Sequence, residues 1–255
     1  MTTIFIIFVV LIGLVIGSFL NCLIWRLYKD ETISGRSYCP NCRHQIAWYD
    51  NIPVLSFLFL KAKCRHCHKP ISWQYPLVEI ATAGLFLLAF FKDVSSAQFS
   101  FLLIKDWLLI ATLIIVFVYD FRWQLVPMKV IWPMCVVMFL FNIFLGFSWS
   151  VIIIAAIAAT VFFFAQYILT KKKGLGEGDI WGGVVWCLAF SDFGELLSIM
   201  VISYGIGAVV SLGLVLADKK QEKSKIALGP FLASGAIITL IWGEQIINWY
   251  LSLFY

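Results

Sequence analysis

From Thr3 to Ile24 the chain carries no charged residue, a run long enough to cross the hydrocarbon of a bilayer as a helix of about 20 residues. Similar apolar runs recur to the C-terminus, and that feature confines the fold. In lipid a backbone must satisfy its own polar groups, and runs of this length do so as helices. Candidate spans lie near 3–25, 75–91, 101–120, 127–147, 149–169, 179–192, 196–217 and 229–253. The sixth is short for a full crossing, so seven spans remain an alternative to eight. The expected fold class is an all-α polytopic membrane protein of about eight transmembrane helices, with a small polar unit between the first two. The first run is no cleavable leader, because its positive charges, Arg26 and Lys29, follow it instead of preceding it. We read it as a retained helix. The division expected is a first transmembrane helix at 1–25, a four-cysteine domain at 26–74, and a membrane core at 75–255.

Charge supplies the orientation. Of 19 Lys and Arg residues, all except Lys92 and Lys105 fall in the segments 26–74, 121–129, 170–178 and 218–228. These alternate with short neutral or acidic loops, so the positive-inside bias puts the basic side in the cytoplasm and both chain ends outside. A net charge of +5 therefore serves orientation in a lipid bilayer and does not indicate nucleic acid. The run Lys171–Lys173 has the same reading. No internal repeat or low-complexity linker is visible.

Within 26–74 stand Cys39-Pro-Asn-Cys42 and Cys64-Arg-His-Cys67, two C-x2-C turns spaced as in the paired knuckles of tetrahedral zinc sites. A reducing cytoplasm disfavours disulfides, and a polar unit of this size rarely folds without a staple. Cys39, Cys42, Cys64 and Cys67 are thus the expected zinc ligands. Four thiolates close the coordination sphere, so the metal is expected to be structural. The three histidines, His44, His66 and His68, read as spectators, and Cys22, Cys135 and Cys187 as packing residues.

Carboxylates at the ends of membrane helices are the candidates for chemistry. Asp120 ends the third span in Val-Tyr-Asp120-Phe-Arg-Trp-Gln-Leu-Val-Pro127, and Asp179 opens the sixth in Gly174-Leu-Gly176-Glu-Gly178-Asp179. Two carboxylates brought together share one proton. One then acts as base toward water while the other protonates a carbonyl, which is peptide hydrolysis without a covalent intermediate. Helix polarity alone would make Asp179, at a helix start, the base and Asp120, at a helix end, the acid. A helix-boundary cap is the competing reading of each Asp. A transporter would hold such groups at the midplane instead, and a zinc-stapled scaffold would need neither. Asn21, Arg26 and Glu79 border the spans as further polar positions.

At this point the sequence resembles the prepilin peptidase (type IV leader peptidase and N-methyltransferase) family along nearly its whole length. The resemblance rests on Gly17-Ser-Phe-Leu-Asn21-Cys-Leu-Ile-Trp-Arg26, on Ser37-Tyr-Cys39-Pro-Asn-Cys42 through Trp48-Tyr-Asp50-Asn-Ile-Pro53-Val-Leu-Ser56, and on Ile71-Ser-Trp-Gln-Tyr75-Pro-Leu-Val-Glu79. Asp120 with Pro127, Gly176-Glu-Gly178-Asp179 and Gly229-Pro-Phe-Leu232 complete it. It implies a bacterial inner-membrane aspartic endopeptidase that removes the basic leader of prepilin or pseudopilin substrates at the cytoplasmic face, with Asp120 and Asp179 as the catalytic pair. It further implies N-methylation of the new N-terminus from S-adenosylmethionine, an activity linked to the cysteine domain and to the position of Glu79. Trp181, Met128 and Ala227 depart from the family pattern, which usually has Lys, an acidic residue or Asn, and Pro there.

Overall fold

The computed structural model describes residues 2–94, 96, 99–170, 178, 181–183, 188–190, 193–217 and 227–253. Eight α-helices lie among these residues: α1 Thr2–Lys29, α2 Leu55–Phe59, α3 Gln74–Asp93, α4 Phe99–Trp123, α5 Met128–Phe144, α6 Trp149–Leu169, α7 Phe193–Leu216 and α8 Gly229–Leu251. A 3-10 turn occupies Trp48–Asn51, and the extended pairing consists of two isolated bridges. Six of the helices are long and apolar enough to cross a membrane: α1, α3, α4, α6, α7 and α8. The fourth expected span appears as α5, a shorter apolar helix of 17 residues. Pro133 lies inside α5, where its missing N–H removes one ladder hydrogen bond. The expected sixth span, 179–192, lies largely outside the described residues.

The chain divides into two compact units, Met1–Ile114 and Ile115–Tyr255. In the first, α1 and α3 meet through a stripe of small residues. A β-carbon on Gly13 would overlap the Ala83 backbone, and one on Gly17 would lie 2.7 Å from Glu79 Cα. This is the small-xxx-small packing by which membrane helices bring backbones together. One turn further, Asn21 donates to Tyr75 O at 3.1 Å and accepts from Gln74 Nε2 at 3.1 Å. The helix α1 stops at Lys29 in a Schellman closure: Asp30 has φ 56°, and Glu31 N–H reaches back to Arg26 O at 2.9 Å. Arg26 and Lys29 in the last turn suit the negative helix end.

In the second unit, α6, α7 and α8 share a core of Phe163, Tyr167 and Leu232, with Met200 and Leu228 packed against it. Gly235 of α8 leaves room for Ser203 of α7, since a β-carbon there would lie 2.9 Å from Ile199 O. Tyr204 donates to Gln166 Oε1 at 2.6 Å, joining α7 to α6.

Candidate active site and metal centre

The four-cysteine segment folds as two knuckles with the same hydrogen-bond pattern. Cys39 N–H donates to His44 O, and Cys64 N–H to Lys69 O; Arg43 N–H returns to Cys39 O, and His68 N–H to Cys64 O. Arg43 and His68 occupy equivalent positive-φ positions, 57° and 55°. The bridges Tyr38–Gln45 and Lys63–Pro70 close the two turns. The repeat that the sequence conceals is therefore one of backbone geometry.

Each knuckle presents its cysteines inward, so that the Sγ atoms of Cys39, Cys42, Cys64 and Cys67 all lie within 4.8 Å of one another. Cys39 Sγ and Cys67 Sγ are 3.9 Å apart. Tetrahedral Zn–S bonds of about 2.3 Å require sulfur separations of about 3.8 Å, so the donor set fits that ion in number, chemistry and spacing. The N–H groups of Cys67 and His66 hold the Cys64 thiol down to about 7. At Cys42 the N–H of His44 acts to lower the value, but desolvation and hydrogen bonds with Cys39, Cys67 and Cys64 push it up to about 11. Crowded thiols of this kind resist ionising together, and a dication bound there would take the place of their protons. No histidine joins the cluster among the described residues. His44 and His66 instead stack on each other, with ring centroids 3.5 Å apart. The second knuckle is tied to the 3-10 turn by a two-pronged ion pair, Arg65 Nε–Asp50 Oδ2 at 2.8 Å and Arg65 Nη2–Asp50 Oδ1 at 2.6 Å.

Polar groups at the ends of α1 and α3 seat this segment. Arg26, 5% exposed, donates to the carbonyls of Ile33, Gly35 and Arg36. Glu79, equally buried, accepts Val54 N–H on Oε2 at 2.7 Å. Val54 has φ 61° and ψ −50°, and Leu55 N–H closes on Pro53 O at 2.6 Å. This is a γ-turn of the rare positive-φ form, strained for a β-branched residue. Glu79 thus holds a strained turn in place.

In the second unit, Asp120 is 5% exposed in the last turn of α4, which Gln124 ends at φ 53°. Its Oδ2 accepts the N–H of Gly229, the first residue of α8, at 2.8 Å. A β-carbon on Gly229 would lie 2.5 Å from that oxygen. Pro230 follows in the first turn of α8, a position that needs no donor. The negative end of α4 and the positive end of α8 therefore both bear on Asp120. The expectation that helix polarity makes Asp120 the acid rests on the first of these two ends alone.

Asp179 lies outside the described residues, as do Glu177 and Cys187. Several of its sequence neighbours are described. Gly178 packs against Val126 so closely that a β-carbon would overlap that side chain, and Val126 belongs to the turn leaving α4. The Trp181 ring lies 4.5 Å from that of Trp132 on α5, so the departure at 181 buries part of an aromatic pair. Gly183 lies against Phe163 of α6.

Two buried carboxylates escaped sequence reading. Asp93 and Asp106 are each 2% exposed, and Lys92 Nζ lies 2.6 Å from Asp106 and 3.6 Å from Asp93. The available signal was Asp106 itself, an acidic residue within an apolar run.

Comparison with known proteins identifies the relatives of this chain. The family profile for the bacterial peptidase A24 N-terminal domain matches residues 11–92, and that for the type IV leader peptidase family matches residues 107–212. A prepilin leader peptidase/N-methyltransferase of Aeromonas hydrophila is 33% identical over 96% of this chain and 93% of its own length. Proteins with the same description from Legionella pneumophila and Klebsiella pneumoniae are 30% and 36% identical. They cover 95% and 68% of this chain, and 93% and 79% of their own lengths. No solved structure matches the chain.

Proposed function

The chain belongs to the type IV leader peptidase family, and from that premise we propose that Asp120 and Asp179 are the catalytic pair of a membrane aspartic endopeptidase. The enzyme cleaves the leader peptide of prepilin-type substrates and N-methylates the product. The observation that carries the catalytic assignment is the setting of Asp120: a carboxylate buried in a span, held by Gly229 N–H, with the residue preceding Asp179 packed on the turn that leaves its helix.

The two carboxylates share a proton. The ionised one takes a proton from water as the oxygen attacks the scissile carbonyl, and the protonated one donates to the carbonyl oxygen. The Gly229 N–H fixes one oxygen of Asp120. The charge pattern supports a site at the cytoplasmic face of a bacterial inner membrane.

Residues 26–74 form a cytoplasmic domain in which Cys39, Cys42, Cys64 and Cys67 hold a structural zinc ion. With four thiolates the metal has no open position for substrate; it supplies the fold of the two knuckles. The methyl group comes from S-adenosylmethionine. For Glu79, the position linked to methylation, the hydrogen bond to Val54 supports a positioning role. It holds the turn between the two knuckles against α3.

The test is incubation of the purified full chain in lipid with a prepilin, alongside Asp120→Asn and Asp179→Asn, followed by mass spectrometry. Loss of the leader with the parent and with neither variant is expected, with an added methyl mass when S-adenosylmethionine is supplied. Variants that cut as well as the parent would overturn the pair.

A further inference from the structure

The short helix α2 turns its apolar side outward. Ser56 and Phe57 are buried, while Leu55, Leu58 and Phe59, at helical spacing on the other face, are 51%, 61% and 82% exposed. Phe57 packs edge-on against Trp73, with centroids 4.9 Å apart, and Trp73 itself is 66% exposed just before α3. A soluble domain would cover such a face.

We infer that this face of the cysteine domain lies on the bilayer surface, with Leu58 and Phe59 among acyl chains and its lysines on anionic phospholipid headgroups. Depth supports this. The start of α2 is bonded to Glu79 through Val54 N–H, and Glu79 lies five residues into a spanning helix that begins at Gln74. At a rise of 1.5 Å per residue, that is about 7 Å below the helix start. The interfacial layer on each side of a bilayer is about 5–8 Å thick, by the difference between the whole bilayer and its hydrocarbon core. A turn anchored at that level sits among headgroups, where Trp and Phe side chains and a basic rim make an interfacial anchor.

Charge selects the lipid. Between Val54 and Trp73 stand Lys61, Lys63 and Lys69, with Arg65 already paired to Asp50, and no carboxylate, and Lys61 and Lys63 lie just after the exposed helix. An anionic surface complements this segment. A basic leader peptide is repelled by it, so the lipid surface is favoured over substrate.

The experiment places a photoreactive benzophenone amino acid at Phe59 of the full chain, in nanodiscs of phosphatidylcholine with or without phosphatidylglycerol and with prepilin present. Irradiation should give phospholipid adducts at residue 59, detected by mass. Their yield should rise about tenfold or more with phosphatidylglycerol, and Lys61→Gln with Lys63→Gln should cut that rise by at least about fivefold. Adducts to prepilin alone, no lipid adduct, or a yield indifferent to both the anionic lipid and the lysines would overturn the inference. Crosslinking requires no turnover, so its outcome is independent of the catalytic assignment. As a second measurement, hydrogen exchange at residues 55–60 in the unlabelled chain should slow in anionic discs. Equal exchange in both lipids would count against the inference without any substitution.

Discussion

The backbone N–H of Gly229 donates to Asp120 Oδ2 across 2.8 Å, in a space that a β-carbon at residue 229 would close to 2.5 Å. The start of α8 therefore acts on Asp120 through hydrogen bonding and through absence of bulk together.

Gly229→Ala should displace the Asp120 carboxylate while leaving the helices intact. A misplacement of about 1 Å at a reacting group costs on the order of 100-fold in rate. Prepilin cleavage should fall by that order, with thermal unfolding in detergent little changed. A variant that retained parental cleavage would detach Gly229 from the site.

Glu79→Ala removes the acceptor for Val54 N–H and frees a strained turn, at a cost of about 1–3 kcal/mol for the unsatisfied donor. Faster hydrogen exchange at 53–60 and reduced methylation are expected, with cleavage largely kept. Glu79→Gln retains an acceptor oxygen and should restore most of both. Failure of Gln to rescue methylation, with normal exchange, would instead assign Glu79 a chemical role.

Metal removal should affect one segment. Metal analysis of the parent should approach one zinc per chain, and Cys39→Ser or Cys64→Ser should abolish it. Exchange should then rise at 36–71, because a small unit held by a metal loses its fold with the metal. The same rise throughout α6, α7 and α8 would show that zinc supports the whole molecule.

The Asp50–Arg65 pair gives a pH dependence of known sign. Hydrogen bonding from Arg65 holds the Asp50 carboxyl below the usual carboxylate range. Its contribution to stability is present above the unfolded value of about 3.9 and is lost as pH falls through the depressed folded value. Protection from exchange at 48–67, taken relative to the intrinsic rate at each pH, should therefore be unchanged between neutral pH and about 5 and fall below about 4. Asp50→Asn should remove that acid-dependent component. Persistence of the acid step in the variant would assign it to another group.

Much of this was legible because lipid imposes so narrow a rule. Long apolar runs mark α1, α3, α4, α6, α7 and α8, and two C-x2-C turns mark the metal site by spacing alone. Other features needed three dimensions. Gly229 and Asp120 are 109 residues apart in sequence, and nothing local to either names the other. The positive φ of Val54 runs against the preference of its side chain and is maintained by Glu79, a long-range partner. The two C-x2-C motifs announce paired knuckles, but their shared backbone bonds and the positive φ of Arg43 and His68 are visible only in the folded turns. Asp106 was overlooked because it lies within a run read as a span, where its ion pair with Lys92 lowers the cost that would have exposed it.

The glycine seam between α1 and α3 acts as a ruler. With Gly13 and Gly17 seated on Ala83 and Glu79, sliding α1 by one residue would drive Leu14 and Ser18 into the opposing backbone. The two helices are locked in one register, and a pull on the zinc domain can tilt them as a pair but cannot draw one past the other like a piston. The height at which the domain leaves and re-enters the membrane is thus set by two missing methyl groups deep in the bilayer, remote from the loop they position.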